Sequence, residues 1–168
     1  MSYIHFDLLE IASSPAQGTG KSVFDTLYHS ESMKVKEYLI AFLNSLASEY
    51  QGRTYLLAYN GIVEMLVETL YEEGNNDSYL RQNALGALQK FSLRKQAQSS
   101  MIENGVIRWI VQILSANTEN LSDYSMEYAT ALLMNLSLRG KGKDECEQLA
   151  PEVSIIKVLN DMMEHENF

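Results

Sequence analysis

Ala84-Leu85-Gly86-Ala87-Leu88-Gln89-Lys90-Phe91-Ser92-Leu93-Arg94 returns 45 residues later as Ala129-Thr130-Ala131-Leu132-Leu133-Met134-Asn135-Leu136-Ser137-Leu138-Arg139. Within both copies the apolar side chains recur at intervals of three and four, which is the helical period and not the strand period of two. A second pair of copies carries almost the same spacing. Asn60-Gly61-Ile62-Val63 returns as Asn104-Gly105-Val106-Ile107, 44 residues on, with Leu66 and Leu70 answered by Ile110 and Leu114. One period upstream, Leu43 and Leu46 take the places of Leu88 and Phe91; one period downstream, Ile155 and Leu159 take those of Ile110 and Leu114. A helical repeat that covers most of a chain marks units that cannot bury their apolar stripes alone and must stack.

Asn-Gly between apolar runs signals a hairpin only when the flanks alternate. Here both flanks have helical period, so Gly61 and Gly105 are read as left-handed residues between two helices. Each unit then holds a short helix (51–59; 95–103), a glycine turn, a middle helix (62–73; 106–116) and a long helix (77–93; 123–138). An earlier copy of the long helix lies at 35–48 and a later copy of the middle helix at 153–163. Asn75-Asn76-Asp77 and Ser122-Asp123 are placed to cap the long helices. Three helices per 44–45 residues fall in the range of armadillo and HEAT units. The expectation is an all-α, right-handed armadillo-type solenoid of about three to four repeats over 31–168, preceded by an N-terminal helical cap and flexible loop over 1–30. Leu43, Leu88 and Leu133 should be buried at equivalent places, as should Leu66, Ile110 and Ile155.

The resemblance narrows further on particular residues. The long-helix segments just quoted, with Met101-Ile102-Glu103-Asn104-Gly105-Val106-Ile107-Arg108-Trp109 and Leu121-Ser122-Asp123-Tyr124-Ser125-Met126-Glu127-Tyr128, are similar to the LisH-domain-containing armadillo-repeat proteins of cilia. The likeness runs on through Gly142-Lys143 and 157–161 to His165-Glu166-Asn167. It implies a non-enzymatic interaction scaffold at the basal body and the axoneme or its tip, acting in cilium assembly and stability. It also implies a TOG-domain array protein and other ciliary tip or basal-body proteins as partners, with any microtubule association indirect. A structural part of a microtubule-based ciliary assembly, held by several neighbours, is the second reading. The family's LisH domain and coiled coil have no counterpart in these residues, and the repeat is expected to continue beyond them.

Composition bears on the alternatives. Thirteen Lys and Arg against 22 Asp and Glu give a net charge of −9, which repels phosphate and argues against nucleic-acid and anionic-membrane partners. Cys146 is the only cysteine, so no internal disulfide can form, and an intracellular, cytoplasmic or cytoskeletal setting is expected. Asp7 and Glu10 interrupt the apolar start, which therefore does not read as a signal peptide. Gly18-Thr19-Gly20-Lys21-Ser22 has the look of a phosphate loop, but Pro15 stands where its first glycine belongs. His5, His29 and His165 are scattered, Cys146 sits between two glutamates, and no nucleophile motif appears, so no catalytic residue, metal or cofactor is expected.

The nuclear-import type of armadillo array repeats an Asn on its long helix and a Trp four residues before it. Here those places read Ser45, Lys90 and Asn135, preceded by Ala41, Gly86 and Ala131, so that reading fails. A basic edge remains: Arg94 and Arg139 are equivalent, joined by Lys90, Lys95, Lys141 and Lys143, and can receive an acidic segment. Helix-end capping is the plainer role for the same bases. Trp109 is either an inter-repeat wedge or a partly exposed anchor. Met126, Met134, Met162 and Met163 read mainly as core. Ile156 and Met163 belong to a stripe on the last helix that needs covering.

Overall fold

Gly61 and Gly105 have φ of 93° and 75°, the left-handed region that turns one helix into the next at each Asn-Gly pair. The computed structural model describes residues 2–11, 22–116 and 120–163. Among these the order is α1 (Ser2–His5), α2 (Val23–Tyr28), α3 (Met33–Ala47), α4 (Tyr50–Leu56), α5 (Ile62–Glu73) and α6 (Tyr79–Phe91). There follow α7 (Lys95–Glu103), α8 (Val106–Ala116), α9 (Asp123–Ser137), α10 (Gly140–Leu149) and α11 (Ile155–Met163). Two complete triplets, α4–α6 and α7–α9, are flanked by the long helix α3 before them and by α10 and α11 after them.

The long helices stack side by side, α6 between α3 and α9, with α5 and α8 packed behind their own long helices. Burial repeats with the period: Leu43, Leu88 and Leu133 are all buried, and so are Leu66 and Ile110. Ile155 is only partly buried, because α11 rests on α8 without a long helix of its own among the described residues. Met126 is buried, whereas Met134 and Met163 are exposed, so not every methionine of the stripes is core.

The helix starts differ from expectation in an informative way. Ser78, not the preceding Asn75-Asn76-Asp77 run, caps α6 by accepting from the Arg81 N–H; Ser122 caps α9 as expected. The Asp77 carboxylate instead accepts from the Ser122 N–H at 2.6 Å and the Ser125 hydroxyl at 2.5 Å, so it serves the start of the long helix of the next unit. Residues 140–149 carry no apolar stripe, yet form α10. A Cβ on Gly142 would stand 2.0 Å from the Leu136 carbonyl oxygen, and one on Gly52 would stand 1.9 Å from that of Leu46. The short helices of the first and third units therefore touch the end of the preceding long helix backbone to backbone, a contact that hydrophobic periodicity does not register.

The N-terminal segments pack onto the first unit, with Leu9, Ile11, Phe24 and Tyr28 buried. The Tyr55 hydroxyl accepts from the Leu9 N–H at 3.3 Å and donates to Asp7 at 2.7 Å; the Tyr28 hydroxyl donates to the Met65 carbonyl at 2.9 Å. Tyr59 donates to Asp25. Ser22 caps α2 in a reciprocal pair with Asp25, and the rest of the glycine-rich 18–22 stretch lies outside the described residues. Burial first, then the hydrogen bonds to Asp7 and Asp25, push Tyr55 and Tyr59 up to about 12.

These raised values set a pH dependence. The unfolded chain releases its phenolic protons near 10, while the folded chain holds these two until about 12. Above pH 10 the folded state therefore binds more protons, and stability falls as pH rises. Melting temperatures between pH 9 and 11.5 are expected to fall more steeply in the native chain than in Tyr55→Phe/Tyr59→Phe. Parallel declines would remove these tyrosines as the cause.

Candidate interaction surface

The Ser-Leu-Arg that ends each long-helix copy forms a turn into the next short helix. Leu93 and Leu138, at 58% and 69% exposure, stand on its outside. Arg94 and Arg139 occupy the N-cap positions of α7 and α10, but neither side chain caps its helix. Each reaches back one unit. The Arg94 guanidinium lies 4.1 Å from the Tyr50 ring centroid and donates to the Thr54 hydroxyl at 3.1 Å; Arg139 Nε donates to Gln98 Oε1 at 2.6 Å. The capping role falls elsewhere. Arg53 donates to the Ala47 carbonyl at 2.8 Å, and Gln98, 45 residues later, donates to the Ser92 carbonyl at 2.7 Å. Lys143 occupies the third such place in the sequence and is exposed.

The remaining candidates separate. Lys95 is exposed beside Arg94. Lys141 is exposed and pairs with Glu103 at 2.8 Å, again one unit back. Lys90 is not on this edge: its ammonium donates to Asn44 Oδ1 at 2.6 Å and to the Asn44 carbonyl at 2.9 Å, tying α6 to α3. Burial, then the nearby Arg53 charge, hold the Lys90 ammonium below its ordinary value. Trp109 is 7% exposed, with the Arg81 guanidinium 6.0 Å from its ring, so it is a wedge inside the array and not a surface anchor. Ile156 and Met163 are exposed at 74% and 76% on α11.

The long-helix face is also occupied from within. Asn44 donates to Asn83 Oδ1 at 2.9 Å and to the Tyr124 hydroxyl at 3.3 Å. A Cβ on Gly86 would lie 2.3 Å from that hydroxyl, so the missing side chain makes room for Tyr124 from the next unit. Asn135 donates to the Ser92 hydroxyl at 2.8 Å. The amides and the lysine of this face are thus engaged in joining one unit to the next. Cys146 is half-buried, and burial, then Glu145, push its thiol up, away from the thiolate a nucleophile needs.

Sequence reasoning passed over Tyr50, Thr54, Gln98 and the Asp77–Arg81 pair. Spacing alone could have found one pair: Asp77 and Ser122 are 45 residues apart, both at the starts of long helices.

Helix triplets of this length, joined by a left-handed glycine and stacked through their long helices, define an armadillo-type α-solenoid, a repeat-based protein-interaction scaffold. The family described as LisH domain-containing protein ARMC9, ARM repeats, matches residues 101–168. LisH domain-containing protein ARMC9 of Pongo abelii is 44% identical over 166 residues, covering 99% of this chain and 24% of that protein. The Homo sapiens and Mus musculus proteins of the same description are 44% and 43% identical over 99% of the chain and 19% of their own length. The chain is thus similar over nearly its whole length to these ARMC9 proteins, and it spans about a fifth to a quarter of the length of the relatives it matches.

No helix among the described residues is long and apolar enough to cross a membrane, and no group of three or more His, Cys, Asp or Glu there is arranged to hold a metal ion.

The basic edge yields a prediction. Arg94→Glu/Arg139→Glu removes a cation over an aromatic ring and two inter-unit hydrogen bonds, each worth about 0.5–1 kcal/mol at partly exposed sites. A modest fall in the urea midpoint is expected, together with weaker binding of an acidic partner that recovers little at low salt. Unchanged stability and binding would reduce both arginines to solvated side chains.

Proposed function

We propose that this chain is a non-enzymatic scaffold that docks a protein partner at the ciliary basal body and axoneme tip, in cilium assembly and stability. A TOG-domain array protein is the partner to test first. The observation that carries the reading is the 44% identity over 99% of the chain to relatives named for a LisH domain and ARMC9, in a fold whose repeated surface is suited to binding and not to chemistry. Stacked repeats offer extended surfaces on which one protein lays itself against another. The exposed apolar face of α11 at Ile156 and Met163 favours the second reading, a structural part of a microtubule-based assembly held by several neighbours.

Location and extraction separate the two. The tagged chain in ciliated cells should concentrate at the basal body and along the axoneme. Release with its partner at moderate salt is expected of the docking scaffold, and retention on the salt-washed axoneme of the structural part. A chain spread evenly through the cytosol that captures no TOG-domain array protein from purified components would overturn the ciliary reading.

A further inference from the structure

The seam where α4 and α5 meet α7 carries an open trough. One half, of about 570 Å³, is lined by Leu57, Ala97, the stacked Tyr50 and Arg94, and the exposed Lys95. The other half, of about 610 Å³, runs on along α5 past Glu68 and Glu72. Both halves are lined by Tyr59, Asn60, Gly61 and Glu64, so they adjoin along these residues. Each is in the range of about 300–1,000 Å³ typical of binding clefts. The left-handed Gly61 at the junction has nothing within 4 Å of where a Cβ would stand, which leaves the backbone open to an approaching chain.

The ends differ in charge. Lys95 is exposed and Arg94 is held in place by Tyr50 and Thr54, so one end is cationic and pre-positioned. At the other end Glu68 is exposed and Glu72 is exposed while shared with Lys36 at 2.9 Å. Between them Glu64 accepts from the Ser100 hydroxyl at 2.6 Å, which joins α5 to α7 and leaves an exposed carboxylate on the acidic side of the trough. Tyr50, at 62% exposure, offers an aromatic wall over Leu57. A chain of net charge −9 attracts basic segments over most of its surface, so a cationic end here sets a more selective requirement.

We propose that this trough docks an extended peptide segment of a protein partner, acidic at one end, apolar or aromatic in the middle and basic at the other. The proposal rests on the reading that the array docks a protein partner. The acidic end lies against Arg94 and Lys95, the apolar side chain over Leu57 beside Tyr50, and the basic end against Glu68 and Glu72. Charge complementarity at both ends fixes the segment's direction, and the apolar middle excludes water between them.

The test uses three dye-labelled peptides of equal length around one tryptophan, carrying acidic and basic blocks on opposite sides, acidic blocks on both, or basic blocks on both. Fluorescence anisotropy with the full chain should show the two-signed peptide binding at least about tenfold tighter than either other probe. Lys95→Glu should weaken it by about tenfold and turn preference to the basic peptide; Glu68→Lys should turn preference to the acidic one. Both positions are exposed, and circular dichroism checks that each variant is folded. Equal binding of all three probes, binding of none, or preference unmoved by both reversals overturns the proposal. Location in cells is scored separately. A chain that is not ciliary but selects the two-signed peptide removes the ciliary reading and keeps the trough; a ciliary chain that ignores all three removes the trough alone.

Discussion

Asp77→Ala is expected to cost about 3–5 kcal/mol, because it leaves the Arg81 guanidinium buried without its counter-charge. Arg81 is 1% exposed and 2.9 Å from the Asp77 carboxylate, with a second donor on the Gly74 carbonyl at 3.0 Å and the Trp109 ring alongside. Its Nε is buried without a protein hydrogen-bond partner, so the guanidinium already carries one unmet donor before the carboxylate is removed. The same carboxylate holds the Ser122 N–H and the Ser125 hydroxyl, so its removal also frees the start of α9 and loosens one unit from the next. Urea unfolding should show the midpoint falling well below that of the native chain. Asp77→Ala/Arg81→Met should recover a large part of the difference, because it removes the stranded charge along with its partner. A double variant no more stable than Asp77→Ala would mean the carboxylate acts only through α9. Burial raises the Asp77 pKa, but the hydrogen bonds from Ser125, Ser122 and Arg81 outweigh it and hold the group below 3.8. Its contribution is therefore complete above the ordinary carboxylate range and disappears as pH falls through the lowered value.

That pair shows where reading the sequence stops. The period, the glycine turns and the positions of α5, α7 and α8 follow from spacing, because an apolar stripe and a left-handed glycine are local signals. Asp77 was legible as a cap, and it is one, but for the wrong helix: a side chain at a unit boundary can serve either neighbour, and only the packing of α6 on α9 decides. The same holds for Arg94 and Arg139. Their recurrence every 45 residues is visible as a basic edge, whereas the partners that use them, Tyr50, Thr54 and Gln98, lie about 40 residues upstream and are not marked by residue type. Gly52 and Gly142 were silent for a further reason: a close backbone approach leaves no mark on hydropathy. Lys90 and Trp109 are binding candidates by residue type, and packing engages the first with Asn44 and buries the second inside the array.

Leu88→Ala is expected to cost more than Leu133→Ala, although both are the same residue at the same place in the repeat. Truncating a buried leucine removes transfer free energy and leaves a cavity, for about 2–5 kcal/mol, with the spread set by how far the surroundings collapse. Leu88 is fully buried on α6, which is held between α3 on one side and α9 on the other. Neither neighbour can move inward without breaking contacts of its own, including the Lys90 tie to Asn44 and the Tyr124 seat over Gly86. A cavity there stays open, and the cost should lie near the upper end. Leu133 is slightly exposed on α9, which has a long helix on one side only among the described residues. That side can close inward, so the cost should lie near the lower end. Urea midpoints of the two variants measure the difference directly, and hydrogen exchange should show the Leu88 variant losing protection in α3, α6 and α9 together. Equal costs would mean that burial at the repeat position alone sets the penalty. A neutral Leu88→Ala would break the 45-residue register on which the stack is built.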